Sequence, residues 1–453
     1  MKCISTRGEA PSVDLAEALQ AGLAPDGGLY VPETLPPIDP AGLDRTARLP
    51  ATAEAVLAPF FAGGPLGAEL SAVCRASLDL PLPVVALHEA GQSDRAADGN
   101  PDSAAEAWIL ELFHGPTAAF KDFAARFLAE CMGRLAEREA DDAGARTILV
   151  ATSGDTGAAV AAAFHGRPRF RVRILYPEGR VSPLQAHQLG AFGGNVTAYR
   201  VAGSFDDCQR MVKAALNDKD LRTRARVSTA NSICIGRLLP QVAYYAQAAL
   251  QLTGSGRDEL QVVVPTGNLG NALACVLARE LGFPIGDIWL ATNANRTLPD
   301  YFASGDYVGR DGLATLANAM DVGDPSNFER LAWLYRDRDL RDARIHAVSV
   351  PDEAIRDRIR REHASRGLVI CPHTACAMEV LAQRRRSGDR RAFLVAATAH
   401  PAKFAEVVEP LIGRAVEPPP ALADLLSRPS RAEPLEPDPD ALRRELLADA
   451  STE

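Results

Sequence analysis

Short apolar runs alternate with glycine-containing turns and amphipathic stretches through most of this chain. TILVA at 147–151 leads into SGDTG at 153–157 and then AAVAAAF, VRILY at 172–176 leads into PEG and a helical pattern from Ser182, and QVVV at 261–264 leads into PTGNLGN and ALACVLAREL. Continuous apolar runs, unlike alternating ones, mark strands covered on both faces. Strands of that kind separated by helices predict an α/β fold with mostly parallel sheets and helices on both faces. AWILELF at 107–113 reads as one more buried strand.

The first 90 or so residues read differently. Two turn-rich pieces, APDGGLYVPETLPP and FAGGPLGAEL, flank Ala-rich helical text, which suggests a separate cap. The polar, aperiodic stretch GQSDRAADGNPDSAAEA at 91–107 predicts a flexible loop or linker. From Glu417 onward the chain turns Pro-rich and predicts a surface tail ending in a short helix. The expected division is therefore a cap at 1–94, a core at 95–415 with a smaller lobe near 146–250, and a tail at 416–453.

Composition narrows the functional classes. The 453 residues are 47% apolar and 24% charged, close to the averages for a soluble enzyme. A net charge of −9 with dispersed Lys and Arg offers no stripe for a nucleic acid backbone, while a local pocket can still accept a small anion. Eight scattered cysteines read as reduced thiols in a cytoplasmic protein. The N-terminus lacks an apolar signal region, and the chain lacks an apolar run of membrane-spanning length.

The candidate chemistry starts in LFHGPTAAFKDF at 112–123. Phe120, Phe123, Ala124, Phe127, Leu128 and Cys131 recur at helical spacing and predict a buried face, with Lys121 in the first turn. The positive helix end and burial both disfavour an ammonium there, and a neutral amine can attack a carbonyl. An ordinary surface lysine with its stem over the phenylalanines is the plain alternative. SGDTG and TGNLGN each offer backbone N–H groups at a helix start after a strand, the arrangement that seats anions, although either alone also serves as a simple strand-to-helix connection. A reactive lysine together with two anion seats at strand ends suggests pyridoxal phosphate, whose aldehyde and phosphate need those features.

With those motifs in place, the sequence resembles the threonine synthase family, in its longer form within the fold type II pyridoxal phosphate enzymes. The resemblance spans nearly the whole chain through STRG, DGGLYVPE, LFHGPTAAFKDF, ATSGDTGAAV, NSICIGR, PTGNLGN, DVGDPSNFER and TAHPAKF, in that order. It implies a tryptophan synthase β-like architecture of two open parallel-sheet lobes with an N-terminal α/β cap. It also implies that Lys121 bonds the cofactor aldehyde and moves protons, and that Gly267, Asn268, Leu269, Gly270 and Asn271 cradle the cofactor phosphate. Asp155 is implied near the phenolic oxygen and Thr398 at the pyridine nitrogen. Thr152, Ser153, Thr156, Asn231, Ser232 and Arg237 are implied to hold the substrate phosphate.

The implied reaction converts O-phospho-L-homoserine and water to L-threonine and phosphate by γ-elimination and β-hydration, the last step of threonine biosynthesis. A monomer or homodimer acting on that small molecule is expected, with no metal, nucleic acid or membrane partner. Two departures stand out: the family more often shows NSINWAR where Cys234, Ile235 and Gly236 stand here, and a leucine where Ala118 stands. Read without the resemblance, Asn231 and Ser232 could cap the following helix and Arg237 could face solvent. CPHTAC at 371–376 reads as a buried turn in preference to a metal cluster, and His114 as a structural residue with some contact to the cofactor site. The competing functions are a phospho-lyase that yields 2-oxobutyrate, a serine or threonine dehydratase, and a non-catalytic regulatory protein that retains the cofactor fold.

Overall fold

A computed structural model describes residues 1–88, 107–140, 144–253 and 258–450. In chain order the strands are β1 (Lys2–Ser5), β2 (Val13–Asp14), β3 (Tyr30–Pro32), β4 (Val84–Ala86), β5 (Ala107–Glu111), β6 (Arg146–Ala151) and β7 (Phe170–Pro177). They continue as β8 (Val196–Val201), β9 (Ser228–Thr229), β10 (Leu260–Pro265), β11 (Ile285–Thr292), β12 (Ile345–Ser349), β13 (Phe393–Ala397) and β14 (Glu433–Leu435). They form three sheets: β2-β1-β3, β12-β11-β10-β13-β5-β4, and β14-β8-β7-β6-β9.

The two larger sheets are the expected parallel lobes. Every pair in the five-stranded sheet is parallel, and in the six-stranded sheet only β4 runs against its neighbour. All six residues of β10 and all five of β13 are buried, as continuous apolar runs require when helices cover both faces. The chain's fold class is thus α/β with two parallel-sheet lobes, and its N-terminal sheet is antiparallel.

Packing and strand pairing cross several of the expected edges. Residues 84–86, expected in the cap, add β4 to the edge of the six-stranded sheet. Helix Ile235–Leu252, expected in the smaller lobe, packs on helices Leu49–Phe61, Lys121–Ala136 and Gly270–Glu280, so it joins the cap to the larger lobe. The Pro-rich stretch ends in a helix as expected and is held to the smaller sheet. It supplies β14, which pairs in parallel with β8, and helix Pro439–Ala450 buries Leu442 and Leu446 against the same lobe. The buried Arg173 of β7 explains the attachment, because its guanidinium needs a counter-charge and finds Asp449 at 2.7 Å. The loop expected at 91–107 lies outside the described residues except for Ala107, which opens β5.

Candidate active site

Lys121 is placed by the strand it follows and the one it crosses. Leu112 N–H donates to the Ala397 carbonyl at 2.9 Å, Phe120 N–H to Thr398 at 2.8 Å, and His400 N–H to Ala118 at 3.0 Å. The turn before Lys121 is therefore laced to the segment leaving β13. Ala118 takes a left-handed φ of 55° inside this turn, a conformation a small side chain adopts with less strain than leucine's branched bulk. Lys121 then opens helix Lys121–Ala136, whose residues Phe123, Phe127, Leu128 and Cys131 are fully buried as the spacing predicts.

The two glycine turns lie at the carboxyl ends of β6 and β10 and open helices Asp155–Phe164 and Gly270–Glu280. Leu269, at the cap of the second helix, is held at φ 62°, a left-handed conformation that costs a non-glycine residue about 1 kcal/mol. Gly267 permits close approach, since a Cβ there would meet the Met320 Cα at 2.7 Å. Asn268 is fixed on three sides: its Nδ2 donates to Ser232 Oγ at 2.7 Å, its Oδ1 accepts from Ser326 N–H at 2.5 Å, and its carbonyl accepts from Asn327 Nδ2 at 3.0 Å.

One cavity of about 860 Å³, mouth included, is lined by Lys121, Thr152, Ser153, Asp155, Thr156, Asn231, Ser232, Arg237, the run Gly267, Asn268, Leu269, Gly270 and Asn271, and Thr398. Every residue singled out from the sequence as a site residue is therefore in its wall. Thr398 sits just past β13, across from the lysine turn.

The charges in this wall are unusual. Burial, then the nearby Lys403 and Arg237, hold the Lys121 ammonium down to about 8, with Asp155 pulling the other way. Burial pushes the Asp155 carboxyl up, but Lys403 and Lys121 outweigh it and hold the group well below the usual carboxylate range. Lys403 Nζ lies 2.8 Å from Asp155 Oδ1, and Gln185 Nε2 donates to the same oxygen at 3.1 Å. Arg237 is buried and held down to about 10, by burial first. It donates to the Ala230 carbonyl, while its Nε finds no partner among the described residues. Asn271 Nδ2 is likewise without a partner, its Oδ1 accepting from Tyr244 and Tyr245. Buried donors left open cost about 1–3 kcal/mol each, so this wall is built to receive an acceptor-rich ligand.

The plain alternatives for the NSICIGR segment fall. Asn231 does not cap the next helix, where Cys234 holds the cap position. Its amide instead clasps Ala151 at the end of β6, accepting at 3.1 Å and donating at 2.7 Å. Arg237 faces the cavity and not solvent. His114 pairs with Glu111 at 2.7 Å and is absent from the cavity lining, so the contact expected with the cofactor site is not made.

Two buried residues escaped the sequence reading, and a third, His373, was read only as part of a buried turn. Lys403 lies within TAHPAKF, but its position in the motif carries no sign of its partner. His373, in CPHTAC, lines the cavity near the first turn of helix Pro372–Arg386, where Cys371 is the cap; its Nε2 accepts from Ala319 N–H at 3.1 Å, and burial holds it down to about 4. Arg330, in DVGDPSNFER, donates to the carbonyls of Tyr30, Ser232 and Ile233 and to Asn327 Oδ1, tying the antiparallel cap sheet to the two site loops.

The model for pyridoxal-phosphate dependent enzymes matches residues 95–397, and those for the threonine synthase N terminus and C-terminal region match 2–78 and 374–445. The threonine synthase of Escherichia coli strain K12 is 37% identical over 99% of both chains. The chain belongs to the threonine synthase family. The Serratia marcescens threonine synthase is also 37% identical, over 93% of this chain and 94% of its own. Among solved structures, threonine synthase from Escherichia coli superposes with a TM-score of 0.88 at 35% identity, covering 99% of this chain and 100% of that one. A threonine synthase from Brucella melitensis, described as bound to PLP, gives 0.85 at 35% identity over 99% of both. Membership makes the chain a pyridoxal-phosphate-dependent enzyme of fold type II, and the open Asn271 donor beside the glycine turn at 267–271 fits that cofactor's phosphate.

Proposed function

We propose that this chain converts O-phospho-L-homoserine and water to L-threonine and inorganic phosphate. The observation that carries the reading is a single cavity in which a lysine disfavoured as an ammonium faces two helix-start turns and a buried arginine with an open donor. The backbone N–H groups of Gly267, Asn268, Leu269, Gly270 and Asn271 would hold the cofactor phosphate, Lys121 its aldehyde carbon, Thr398 its ring nitrogen, and Asp155 the region of its phenolic oxygen. Pyridoxal phosphate, when bound, supplies a conjugated ring that absorbs the electron pair released at the substrate α-carbon.

The remaining work falls to the chain. Lys121 Nζ would take the α-proton of the bound substrate and return protons to its carbon skeleton. Arg237 presents a planar, permanently charged fork to the substrate phosphate, with Thr152, Ser153, Thr156, Asn231 and Ser232 around it. The same groups retain phosphate after it leaves the γ-carbon, which keeps an acid–base group beside the β-carbon during water addition. The grip on phosphate disfavours a dehydratase acting on serine or threonine. Replacing the usual Asn-Trp-Ala by Cys234, Ile235 and Gly236 alters packing beside this grip and bears on substrate affinity more than on the cofactor.

The same reading assigns the chain a cap at 1–94, a catalytic core at 95–415 and a C-terminal segment from 416; the separate N-terminal sheet and family models that end at 78 and begin at 95 support the first division, with β4 reaching from the cap segment onto the core sheet. It places the enzyme in the cytoplasm, supported by eight buried, unpaired cysteines, and takes it to act as a monomer or homodimer. Among the described residues no helix is long and apolar enough to cross a membrane. The test is to supply O-phospho-L-homoserine and pyridoxal phosphate and quantify products. Threonine and phosphate in equal amounts are expected; phosphate accompanied by 2-oxobutyrate, without threonine, would assign the chain to the lyase alternative.

A further inference from the structure

Lys403 is fully buried, on the short turn Pro401–Phe404 that follows β13. Its ammonium donates to the Thr117 carbonyl at 2.8 Å and lies 2.8 Å from Asp155 Oδ1. Thr117 belongs to the turn that delivers Lys121, and its N–H and hydroxyl both donate to the buried Asp122. Asp155 belongs to the turn after β6, in the other lobe. One buried cation thus joins the two sheets immediately behind the reactive lysine. The charged and titratable groups that face this centre are Lys121, Lys403, Arg237, Asp155, Asp122, His373, Cys371 and His400.

Two lysines stand beside Asp155, and only Lys403 is within ion-pair distance of it. A buried carboxylate must be neutralised by a partner. Were Lys403 uncharged, the next cation available to Asp155 would be Lys121, and that pairing would favour the ammonium form. We infer that Lys403 is a positioning residue for the reaction: it takes the Asp155 carboxylate as its own partner and so leaves the Lys121 amine free to act as a nucleophile. The inference rests on the proposed role of Lys121 as the cofactor's anchor. Burial and the positive field of Lys403 and Arg237 act on Lys121 in the same direction.

The test reads cofactor capture, with no substrate present. Full-length chain stripped of cofactor is mixed with pyridoxal phosphate, and the absorbance change is followed between about pH 6 and about pH 10, spanning the ordinary and lowered lysine values. The lone pair of Nζ forms the new C–N bond to the aldehyde carbon, and the aldehyde oxygen leaves as water. In the unaltered chain the rate rises about tenfold per pH unit and levels off near about 8. In Lys403→Met the midpoint moves up by about one unit, so capture at neutral pH slows roughly tenfold. In Asp155→Asn, which frees Lys403 to repel Lys121, the midpoint moves down. Lys403→Arg, which preserves the pair, keeps the original midpoint.

A Lys403→Met midpoint that stays in place or falls, in protein with an unchanged circular dichroism spectrum, overturns the inference. If Lys403→Met does not fold, Lys403→Gln takes its place, and a midpoint that fails to rise overturns the inference equally. The proposed reaction fails separately: products other than threonine leave this pH profile intact, whereas equal capture by Lys121→Ala would refute the anchor role itself.

Discussion

The two glycine turns look interchangeable in sequence, yet the structure surrounds them with different hydrogen bonds and charges. At SGDTG, Thr152 Oγ1 already accepts from the N–H groups of Gly154 and Gly157, both at 3.0 Å, and an acid, Asp155, stands in the first helical turn. At TGNLGN the first turn carries no acid, Leu269 is held in a left-handed conformation, and Asn268 is clamped by Ser232, Ser326 and Asn327. A helix start that keeps its N–H groups open and bears no carboxylate is the better seat for a resident phosphate. The other turn carries a carboxylate paired with Lys403, and on the proposed reading Asn231 and Arg237 nearby would hold the phosphate that leaves. A strand-to-helix glycine turn therefore says "anion" only after the charges behind it are counted.

That contrast can be broken or sharpened at four places. The largest effect belongs to Lys121, which serves both turns: Lys121→Ala should lower threonine formation by roughly 10³-fold or more and remove the cofactor's protein-bound absorbance. Arg237→Lys loses the planar fork at the substrate side alone. Its KM for the phosphorylated substrate should rise by about 10–100-fold, with cofactor affinity unchanged in an equilibrium titration. Gly267→Ala forces a Cβ against the Met320 backbone and should weaken cofactor binding about tenfold while sparing the substrate KM. Ser232→Ala removes the hydrogen bond to Asn268, and a loss of about threefold in cofactor affinity is expected. If Arg237→Lys and Gly267→Ala moved the same parameter, the division of labour between the turns would be wrong.

What could be read from the chain is what depends on neighbours in sequence. The strand–turn–helix units are legible because a buried strand is a continuous apolar run, and a helix start after it is marked by glycine and small hydroxyl residues. Lys121 is legible because its helix shows its apolar face at once. Lys403 is not, because its partner carbonyl is on Thr117, 286 residues earlier, and only the fold brings them together. Arg330 reaches Tyr30 across 300 residues for the same reason. The segment after Glu417 misled through composition: prolines suggest a surface tail, while Leu442, Leu446 and the counter-charge for Arg173 tie it to the smaller sheet.

The central claim is that one turn holds the cofactor phosphate and the other the departing one, with Lys121 between them. The most direct measurement is a crystal structure of the full chain grown with pyridoxal phosphate and soaked in inorganic phosphate. Density continuous from Lys121 Nζ to the cofactor, with its phosphate on residues 267–271 and a second phosphate touching Arg237 and Asn231, is the predicted result. A cofactor phosphate seated on residues 153–157 would contradict it.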